Sequence, residues 1–479
     1  MRRAKIICTM GPACDSEEAI EALIEAGMNV ARLNFSHGDH DFHGALVERI
    51  RRASEKAGKP VAILQDLQGP KIRCQTMENG QVELVKGANC IITTDTVLGT
   101  AERFGTSYEL LPHDVRAGSC ILLDDGNLTL EVEAVEAQDV HCRVLHGGLL
   151  KDKKGINLPM SPVSAPSLTE KDIRDVKVGA ELGVDAVALS FVRSRQDIRM
   201  LRRELTASKS KPLVVAKLEK PQAIEQLEGI IEESDGLMVA RGDLGVEMPT
   251  EKVPMIQKKI IEESNRRGRF VIVATQMLES MIHNTRPTRA EASDVANAVL
   301  DGADALMMSG ETAVSHDPVN TVQTMDRIIV EVERSERANY MQTSHFLSTQ
   351  AAQNFQNAIS LAAVRAAHEL RAECIAVYST SGATARLVSE YRPKEPILAF
   401  VPDERHQRRL NFAWGVQAEI VGQLSAIEDV FQAIDTYLLD SGRAAPGETV
   451  VVCSKTPMSG AQRTNAMYLH MLGSSRLQS

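Results

Sequence analysis

Eight short apolar runs alternate with amphipathic helical stretches, and this alternation limits the possible folds more than any other feature of the chain. The apolar runs are at 5–8, 29–33, 61–64, 186–189, 213–216, 237–240, 270–274 and 305–308. The helical patterns are at 16–26, 40–57, 170–182, 194–206, 221–233, 252–267 and 288–301. Near-continuous apolar strands are typical of a parallel sheet covered by helices. Eight of them predict a closed (β/α)8 barrel, in which function resides where the strands end.

Two other stretches of the chain depart from the barrel pattern. Residues 71–156 alternate with period two around Asn79-Gly80, Asp125-Gly126 and Gly147-Gly148, which indicates turns in a β-domain. After about residue 345 a new βα pattern begins. A length of 479 residues suits about three domains. The predicted division is a barrel at 1–70 and 157–344, an inserted small β-barrel lid at 71–156 and a C-terminal α/β domain at 345–479.

Composition excludes several classes of function. A net charge of -10 argues against binding a polyanion, so nucleic acid is not expected as a partner. The eight cysteines form no C-x-x-C pair, which is typical of thiols in a reducing compartment. The basic N-terminus leads directly into a strand-like run, and no apolar run reaches eighteen residues. We therefore expect a cytoplasmic protein without a membrane partner.

A lysine and two carboxylates follow the fifth and sixth apolar runs. In Val-Ala-Lys-Leu-Glu, alternate residues of an extended strand share a face, so Lys217 and Glu219 point the same way. Asp243 follows the next run in Arg-Gly-Asp-Leu-Gly. A cation beside two hard oxygen ligands suits Mg²⁺ holding a phosphorylated, carboxylate-bearing substrate. A buried ion pair is the alternative, and the turn that holds Asp243 favours the metal site.

Other strand ends are polar as well. Arg32 and Arg73, together with Lys217, would neutralise phosphoryl oxygens, because phosphoryl transfer depends on positioning and charge compensation. Asn34, Ser36 and Asp66 offer oxygens for a second cation. The strand ends therefore predict a site for a phosphorylated substrate and metal ions.

Seven motifs carry a resemblance to a known family. They are Ala-Arg-Leu-Asn-Phe-Ser-His-Gly, Gly-Pro-Lys-Ile-Arg, Val-Ala-Lys-Leu-Glu, Ala-Arg-Gly-Asp-Leu-Gly, Ala-Thr-Gln-Met-Leu-Glu-Ser-Met, Arg-Pro-Thr-Arg-Ala-Glu and Met-Ser-Gly-Glu-Thr-Ala, in that order. Through them the chain resembles pyruvate kinase over essentially its whole length. The resemblance implies a glycolytic enzyme that transfers the phosphoryl group of phosphoenolpyruvate to ADP, giving pyruvate and ATP.

The same resemblance implies roles for the strand-end residues. Glu219 and Asp243 would bind the divalent ion, Mg²⁺ or Mn²⁺, and Lys217 would stabilise the transferring phosphoryl group and the enolate. Arg32 and Arg73 would contact phosphoryl oxygens.

Further substrate and nucleotide contacts also follow from the resemblance. Backbone N–H groups around Gly242 and Asp243 would hold the substrate carboxylate, as a turn opening onto a helix allows. Protonation of the enolate is assigned to Thr275, with Ser309 and Glu311 in the proton relay. The nucleotide would contact Asn34, His37, Arg73, Lys154 and Asp125.

The three histidines at 37, 40 and 43 invite a metal interpretation. Their i, i+3, i+6 spacing cannot place all three on one helical face, so polar residues at a helix start are the preferred interpretation. Only His37 keeps a functional expectation, at the nucleotide site.

Lys71 is a departure from many members of the family, which carry glutamate there and need K⁺. In those enzymes a K⁺ site is built from positions that match Asn34, Ser36, Asp66 and the main chain of Leu67. An ammonium group in this region can stand in for the ion, so K⁺ is predicted not to be required. The alternative is that Lys71 points to solvent and leaves the cation site intact.

The C-terminal domain contains a candidate effector site. Ser379, Thr380, Ser381, Gly382 and Thr384 join a strand to a helix and could hold a phosphate, although such residues also cap helices without a ligand. The resemblance favours the phosphate. Relatives that are activated by sugar bisphosphates often carry a larger or basic residue at the position of Ala383, so the resemblance implies a sugar monophosphate here. The resemblance also implies an allosteric homotetramer with dihedral symmetry.

Two other functions remain as alternatives. Another magnesium-dependent enolpyruvate enzyme on a barrel would share the carboxylate pair but lack the inserted lid followed by this C-terminal domain. A catalytically inactive sugar-phosphate sensor would be expected to lose some buried charges, whereas Lys217, Glu219, Asp243, Thr275 and Arg32 are all present.

Overall fold

The computed structural model describes residues 2–159, 161, 163–208, 210–335, 355–458 and 463–474. Its amino-terminal part supplies three parallel strands, β1 (Lys5–Thr9), β2 (Val30–Asn34) and β3 (Ala62–Asp66). Two helices connect them, α1 (Glu17–Ala26) and α2 (His40–Ala57). The side chains of Ser16 and Asp39 accept backbone N–H groups of the first turns, and this capping fixes where the helices begin.

The segment after β3 forms the predicted lid as two sheets. Its strands are β4 (Gln81–Leu84), β5 (Asn89–Thr93), β6 (Arg103–Gly105), β7 (Cys120–Leu123), β8 (Leu128–Glu136), β9 (Asp139–His146), β10 (Gly148–Lys151) and β11 (Ile156–Asn157), with the short helix α3 (Leu111–Asp114). Six of them curl into one sheet in the order β11-β7-β8-β9-β5-β6, and β10 pairs with β4. The lid encloses its own apolar core. The Asp125-Gly126 turn joins the paired strands β7 and β8, whereas Gly147-Gly148 leads from one sheet to the other.

The chain then returns to complete the barrel. The remaining strands are β12 (Ala186–Leu189), β13 (Leu213–Leu218), β14 (Gly236–Ala240), β15 (Phe270–Ala274) and β16 (Ala305–Met308). The helices are α4 (Glu170–Glu181), α5 (Arg195–Glu204), α6 (Pro221–Glu225), α7 (Leu227–Glu233), α8 (Arg241–Glu247), α9 (Val253–Arg266), α10 (Arg289–Asp301), α11 (Gly310–Ala313) and α12 (Pro318–Arg334). All eight barrel strands are parallel and close in the order β1-β16-β15-β14-β13-β12-β3-β2. The predicted (β/α)8 barrel is confirmed.

A five-stranded sheet forms the C-terminal α/β domain. Its strands are β17 (Ile375–Tyr378), β18 (Ile397–Val401), β19 (Val416–Ile420), β20 (Thr449–Ser454) and β21 (Ala466–Met471), in the order β19-β18-β17-β20-β21. The helices span Phe355–Leu370, Ala383–Glu390, Glu404–Arg409 and Ile427–Asp440. Only β21 runs antiparallel to its neighbour. The domain boundary expected at 344/345 lies outside the described residues and stays a prediction.

The C-terminal domain closes the amino-terminal end of the barrel. Phe412 belongs to the apolar cluster inside the barrel and stacks on Phe270 with ring centroids 5.1 Å apart. Arg392 forms a buried ion pair with Asp304 at 3.0 Å. Among the described residues, the carboxyl ends of the barrel strands are therefore the end of the barrel that remains open to a ligand, and the lid lies at that end. Among the helices in the described part of the chain, none is both long and apolar enough to cross a membrane.

Candidate active site

Lys217 lies at the centre of a buried charge network at the carboxyl end of the barrel. Its Nζ is 2.9 Å from Glu219 Oε1 and 3.2 Å from Asp66 Oδ1, and it donates a hydrogen bond to Ser190 Oγ at 2.8 Å. Leu218 belongs to the apolar core outside the barrel, between sheet and helices. The strand period therefore turns Lys217 and Glu219 toward the same side, as the sequence predicts.

Asp66 and Lys217 in this network hold each other in the ionised state. Arg32 Nε donates to Asp66 Oδ2 at 2.7 Å. Burial favours a raised pKa for Asp66, but the cations of Lys217 and Arg32 outweigh it and lower the pKa below its ordinary value. Burial favours a lowered pKa for Lys217, but Asp66 and Glu219 outweigh it and raise the pKa above its ordinary value. The site thus presents two cations to a ligand.

Glu219 and Asp243 provide two carboxylates from the ends of the neighbouring strands β13 and β14. Burial raises the pKa of Glu219; Asp243 adds to this, and Lys217 opposes it. Glu219 Oε2 accepts the N–H of Phe191 at 2.6 Å. Within the described ranges, no three His, Cys, Asp or Glu side chains come together as a complete metal site. Two hard oxygen donors do suit Mg²⁺, which takes its remaining ligands from substrate and water.

One cavity of about 140 Å³ brings many of the predicted site residues together. The predicted residues on its wall are Arg32, Asn34, Ser36, His37, Asp66, Leu67, Lys71, Arg73, Lys217, Glu219 and Asp243. Its wall also contains Gln68, Ser190 and Phe191, which sequence reasoning missed as site residues. Ser190 could have been identified, because it directly follows β12, whereas the main-chain contact of Phe191 with Glu219 leaves no sequence signal.

Thr275 and Gly242 connect to the cavity through α8, the helix that carries Asp243. The N–H of Gly242 donates to Thr275 Oγ1 at 2.8 Å, and this hydroxyl donates to Ala274 O at 2.6 Å. Thr275 has a φ of 72°, and the guanidinium of Arg241 donates to its carbonyl oxygen at 2.8 Å. A positive φ in a β-branched residue is strained and persists only when neighbours hold it. Strain of this kind clusters at functional sites.

Glu311 joins the loops that follow β15 and β16. It is fully buried; its Oε1 accepts the N–H groups of Met277 at 3.1 Å and Leu278 at 3.2 Å. Its Oε2 accepts the N–H of Ser309 at 2.6 Å. These three backbone contacts show that Glu311 holds the two loops together, and its expected place in the proton relay stays a prediction.

The lid residues fall into two groups. Arg73 donates to Lys153 O at 3.0 Å, and Lys154 pairs with Asp124 at 2.7 Å, which lowers the pKa of Asp124. Asp125 and Lys71 instead line a narrow crevice between lid and barrel that also reaches Asp243. Lys71 is exposed, as expected if it points to solvent. It also forms part of the wall of the main cavity, as expected if its ammonium stands in for K⁺.

The three histidines have different environments. His37 is exposed at the cavity wall, and His40 Nε2 contacts Asp175 Oδ1 at 2.8 Å. His43 lies in the first turn of α2, as expected, and it is buried and stacks on Phe35 with ring centroids 4.0 Å apart. The aromatic stack with Phe35 provides the burial that the local sequence did not indicate.

A second cavity, of about 210 Å³, lies in the C-terminal domain. The residues that line it are Gln356, Tyr378, Ser379, Thr380, Ser381, Ala383, Thr384, Lys455, Arg463 and Thr464. Gly382 adopts a φ of 73° at the start of helix Ala383–Glu390, where a left-handed backbone suits glycine. Lys455 and Arg463 come from beyond β20 and were not predicted, because they are about 70 residues or more from the loop in sequence.

Comparisons with known proteins agree with this architecture. Residues 1–322 match the family model described as pyruvate kinase, barrel domain, and residues 357–470 match that described as pyruvate kinase, alpha/beta domain. The chain is 44% identical over 472 residues to a pyruvate kinase from Mycobacterium tuberculosis, covering 98% of this chain and 99% of that protein. A pyruvate kinase from Bacillus licheniformis is 44% identical over 477 residues, covering 99% of this chain and 81% of that protein. A crystal structure of a pyruvate kinase from Cryptosporidium parvum superposes with a TM-score of 0.93 at 36% identity, covering 98% of this chain and 96% of that one.

Proposed function

The chain belongs to the pyruvate kinase family, and from this membership we propose that it transfers the phosphoryl group of phosphoenolpyruvate to ADP in glycolysis, giving pyruvate and ATP. It is an enzyme of the phosphotransferase class. The other barrel enzymes and the inactive sensor are not favoured. The observation that carries the proposal is the placement of Lys217 between Asp66 and Glu219 in a cavity that Arg32 and Asp243 also line.

The two cations that face the cavity carry out charge compensation. Lys217 and Arg32 would contact phosphoryl oxygens, and Lys217 would also balance the charge of the enolate that is left behind. Their shared carboxylate, Asp66, holds both cations in place before the substrate arrives, so little reorganisation accompanies the reaction. Arg73 would add a third cation from the base of the lid.

Glu219 and Asp243 would hold Mg²⁺ or Mn²⁺. When bound, the ion supplies positive charge to substrate oxygens and fixes their orientation. Asp243 lies in the first turn of α8, where backbone N–H groups have no acceptor within the helix. These N–H groups are the proposed contacts of the substrate carboxylate. The N–H of Gly242 would join them by giving up its hydrogen bond to Thr275 Oγ1.

Thr275 and Ser309 are the proposed route for the proton that converts the enolate to pyruvate. Thr275 is held in a strained conformation with its hydroxyl next to α8, and Glu311 fixes the backbone of Ser309. Conversion of the enolate to the ketone would make phosphoryl transfer nearly irreversible.

The nucleotide would lie between barrel and lid. Asn34 and His37 line the main cavity from the barrel side, and Arg73 and Asp125 line the main cavity and the crevice, respectively, from the lid side. Lys154, which pairs with Asp124, is the further proposed contact from the lid. Lys154 would exchange Asp124 for a phosphate on binding. Lys71 lies in both the main cavity and the crevice, and we propose that its ammonium replaces K⁺ near Asn34, Ser36 and Leu67.

Regulation and assembly are proposed for the C-terminal domain. Lys455 and Arg463 face the Ser379–Thr384 loop across one cavity, which supports a sugar phosphate as effector. The edge strand β21 exposes Leu469 and Met471, which supports contact with another copy in a cytoplasmic homotetramer of dihedral symmetry. Light scattering after size exclusion tests the tetramer.

A coupled assay tests the proposed reaction. With phosphoenolpyruvate and Mg²⁺, the purified protein should form pyruvate only when ADP is present. Equal rates without ADP would indicate a phosphatase, and no pyruvate at all would refute the proposal. Lys56 is an exposed lysine paired with Glu21, so Lys56→Met serves as a control for lysine loss and should leave the rate unchanged.

A further inference from the structure

A buried polar cluster joins the lid to the barrel beside the candidate active site. Glu247 Oε1 accepts hydrogen bonds from Lys220 Nζ at 2.5 Å and from Asn157 Nδ2 at 2.9 Å. Asn157 belongs to β11 of the lid, Lys220 follows β13, and Glu247 is the last residue of α8. Lys220 is 9% exposed and Glu247 is 2% exposed. Three elements thus meet at one carboxylate.

Each barrel residue of the cluster is mechanically connected to a proposed metal ligand. Glu247 lies one helical turn after Asp243 in α8, so their side chains lie on the same face. Lys220 directly follows Glu219 in the chain. Its ammonium also lies 5.8 Å from the ring centre of Phe191, the residue whose N–H holds Glu219 Oε2. Movement of the cluster would therefore move both carboxylates.

The cluster is more polar than packing alone requires. A buried ion pair is often no more stabilising than apolar side chains of similar volume. Glu247 Oε2 is buried without a hydrogen-bond partner among the described residues, so the carboxylate depends on the donors at Oε1. One of these two donors, Asn157, is supplied by the lid, so the hydrogen bonding of the buried Glu247 carboxylate depends on the position of the lid.

We propose that Asn157, Lys220 and Glu247 are positioning residues that couple the docking of the lid to the alignment of Glu219 and Asp243. This coupling rests on the proposed function in that the two carboxylates bind Mg²⁺. None of the three residues is a proposed metal ligand, and Asn157 and Lys220 line the crevice that also reaches Asp243. When β11 is docked, Asn157 completes the environment of Glu247 and fixes α8; when the lid is displaced, α8 and the end of β13 lose that restraint.

Asn157→Ala tests the coupling with the mildest change. Loss of one donor to a buried carboxylate should raise the Mg²⁺ concentration for half-maximal activity about tenfold. Saturating Mg²⁺ should restore kcat to within about twofold of the unsubstituted enzyme, because the catalytic groups are intact. Asn89 is exposed on lid strand β5, so Asn89→Ala is the matched control and should leave both quantities unchanged. A fall in kcat with an unchanged Mg²⁺ requirement would show a merely structural role and overturn the proposal.

Glu247→Gln supplies a second variant and a double-mutant cycle. It keeps the shape of the side chain but removes the negative charge to which Lys220 and Asn157 donate hydrogen bonds. The Mg²⁺ requirement should therefore rise at least as much as in Asn157→Ala. Adding Asn157→Ala to Glu247→Gln should produce little further increase, because both substitutions break one connected unit. Fully additive increases would refute the coupling.

Hydrogen–deuterium exchange measures the docking of the lid and does not require enzyme activity. In Asn157→Ala, backbone amides of Ile156–Asn157 and of α8 should exchange faster, while those of β8 and β9 should not change. The increase in melting temperature on adding Mg²⁺ should also become smaller. Both measurements remain valid even if ADP-dependent pyruvate formation fails, so failure of the proposed reaction can be distinguished from failure of the coupling. Unchanged exchange in α8 would overturn the proposal.

Discussion

Replacement of Lys217 by methionine should separate phosphoryl transfer from enolisation. The substitution keeps an unbranched side chain but removes a charge that lies 2.9 Å from Glu219 and 3.2 Å from Asp66. A phosphoryl oxygen that takes up a similar contact at about 3 Å would gain about 5 kcal/mol at an effective dielectric of 20. This corresponds to a loss of roughly 10³ to 10⁴ in kcat for phosphoryl transfer.

The same substitution should increase the thermal stabilisation of the protein by Mg²⁺. Asp66 retains Arg32, but Glu219 loses its cation, and breaking a buried ion pair costs about 3–5 kcal/mol. A divalent ion at Glu219 and Asp243 would restore part of the missing positive charge. The increase in melting temperature on adding Mg²⁺ should therefore be larger in Lys217→Met than in the unsubstituted protein.

Two assays on one preparation of the Lys217→Met protein test the role assigned to Lys217. Pyruvate formation from phosphoenolpyruvate and ADP should be lost, whereas exchange of the methyl protons of pyruvate with deuterated solvent, followed by NMR, should stay within about tenfold, since Lys217 is assigned to charge stabilisation and not to proton delivery. Lys56→Met controls for loss of a lysine. Near-normal kinase turnover, or equal loss of both activities, would refute the assigned role.

Three other substitutions address separate parts of the molecule. In tetramethylammonium buffer, added KCl should activate the unsubstituted enzyme less than tenfold, and Lys71→Glu should create a K⁺ requirement; strong activation of the unsubstituted enzyme would contradict the role of Lys71. Burial lowers the pKa of Lys5 to about 7. Between pH 7 and 10 the unfolded state therefore binds more protons than the folded state, and the free energy of unfolding should rise with pH by a few kcal/mol at most. Lys5→Met should remove this rise in thermal melts. Arg463→Ala should weaken activation by a sugar monophosphate about tenfold or more with kcat unchanged, and phosphoenolpyruvate saturation curves that no sugar phosphate alters would contradict an effector site.

The barrel was predictable because its strands are buried on both faces. Each of the eight apolar runs became a strand with bounds shifted by at most two residues, and the Thr288–Glu291 capping box and Gly302 bound α10 as the sequence indicates. The C-terminal sheet was less predictable, because its sequence indicates strands only at 374–378 and 449–453, which are two of the five. The edge strand β21 alternates buried and exposed positions less regularly, and half-buried β19 contains polar residues.

Contacts between distant parts of the chain limited the prediction of the site. The period of a strand places Lys217 and Glu219 together, but no local pattern brings Asn157 to Glu247, since 90 residues separate them. The same holds for the backbone contacts of Glu311 across 33 and 34 residues, which no local pattern of the sequence indicates. Residue types at strand ends therefore locate a site, whereas the role of each residue within the site depends on contacts of the tertiary fold.

The closure of the barrel determines when this protein can fold during its synthesis. Lys5 of β1 lies opposite Ala305 of β16, so at a rate of about 5–20 residues per second the first strand waits roughly 15–60 s for its second partner. During that interval the lid, whose paired strands β7, β8 and β9 are consecutive in the chain, can already form, because local contacts form fastest. The part of the molecule that covers the finished site is thus able to fold before the site exists, and the open edge of β1 is the surface that needs protection on the ribosome.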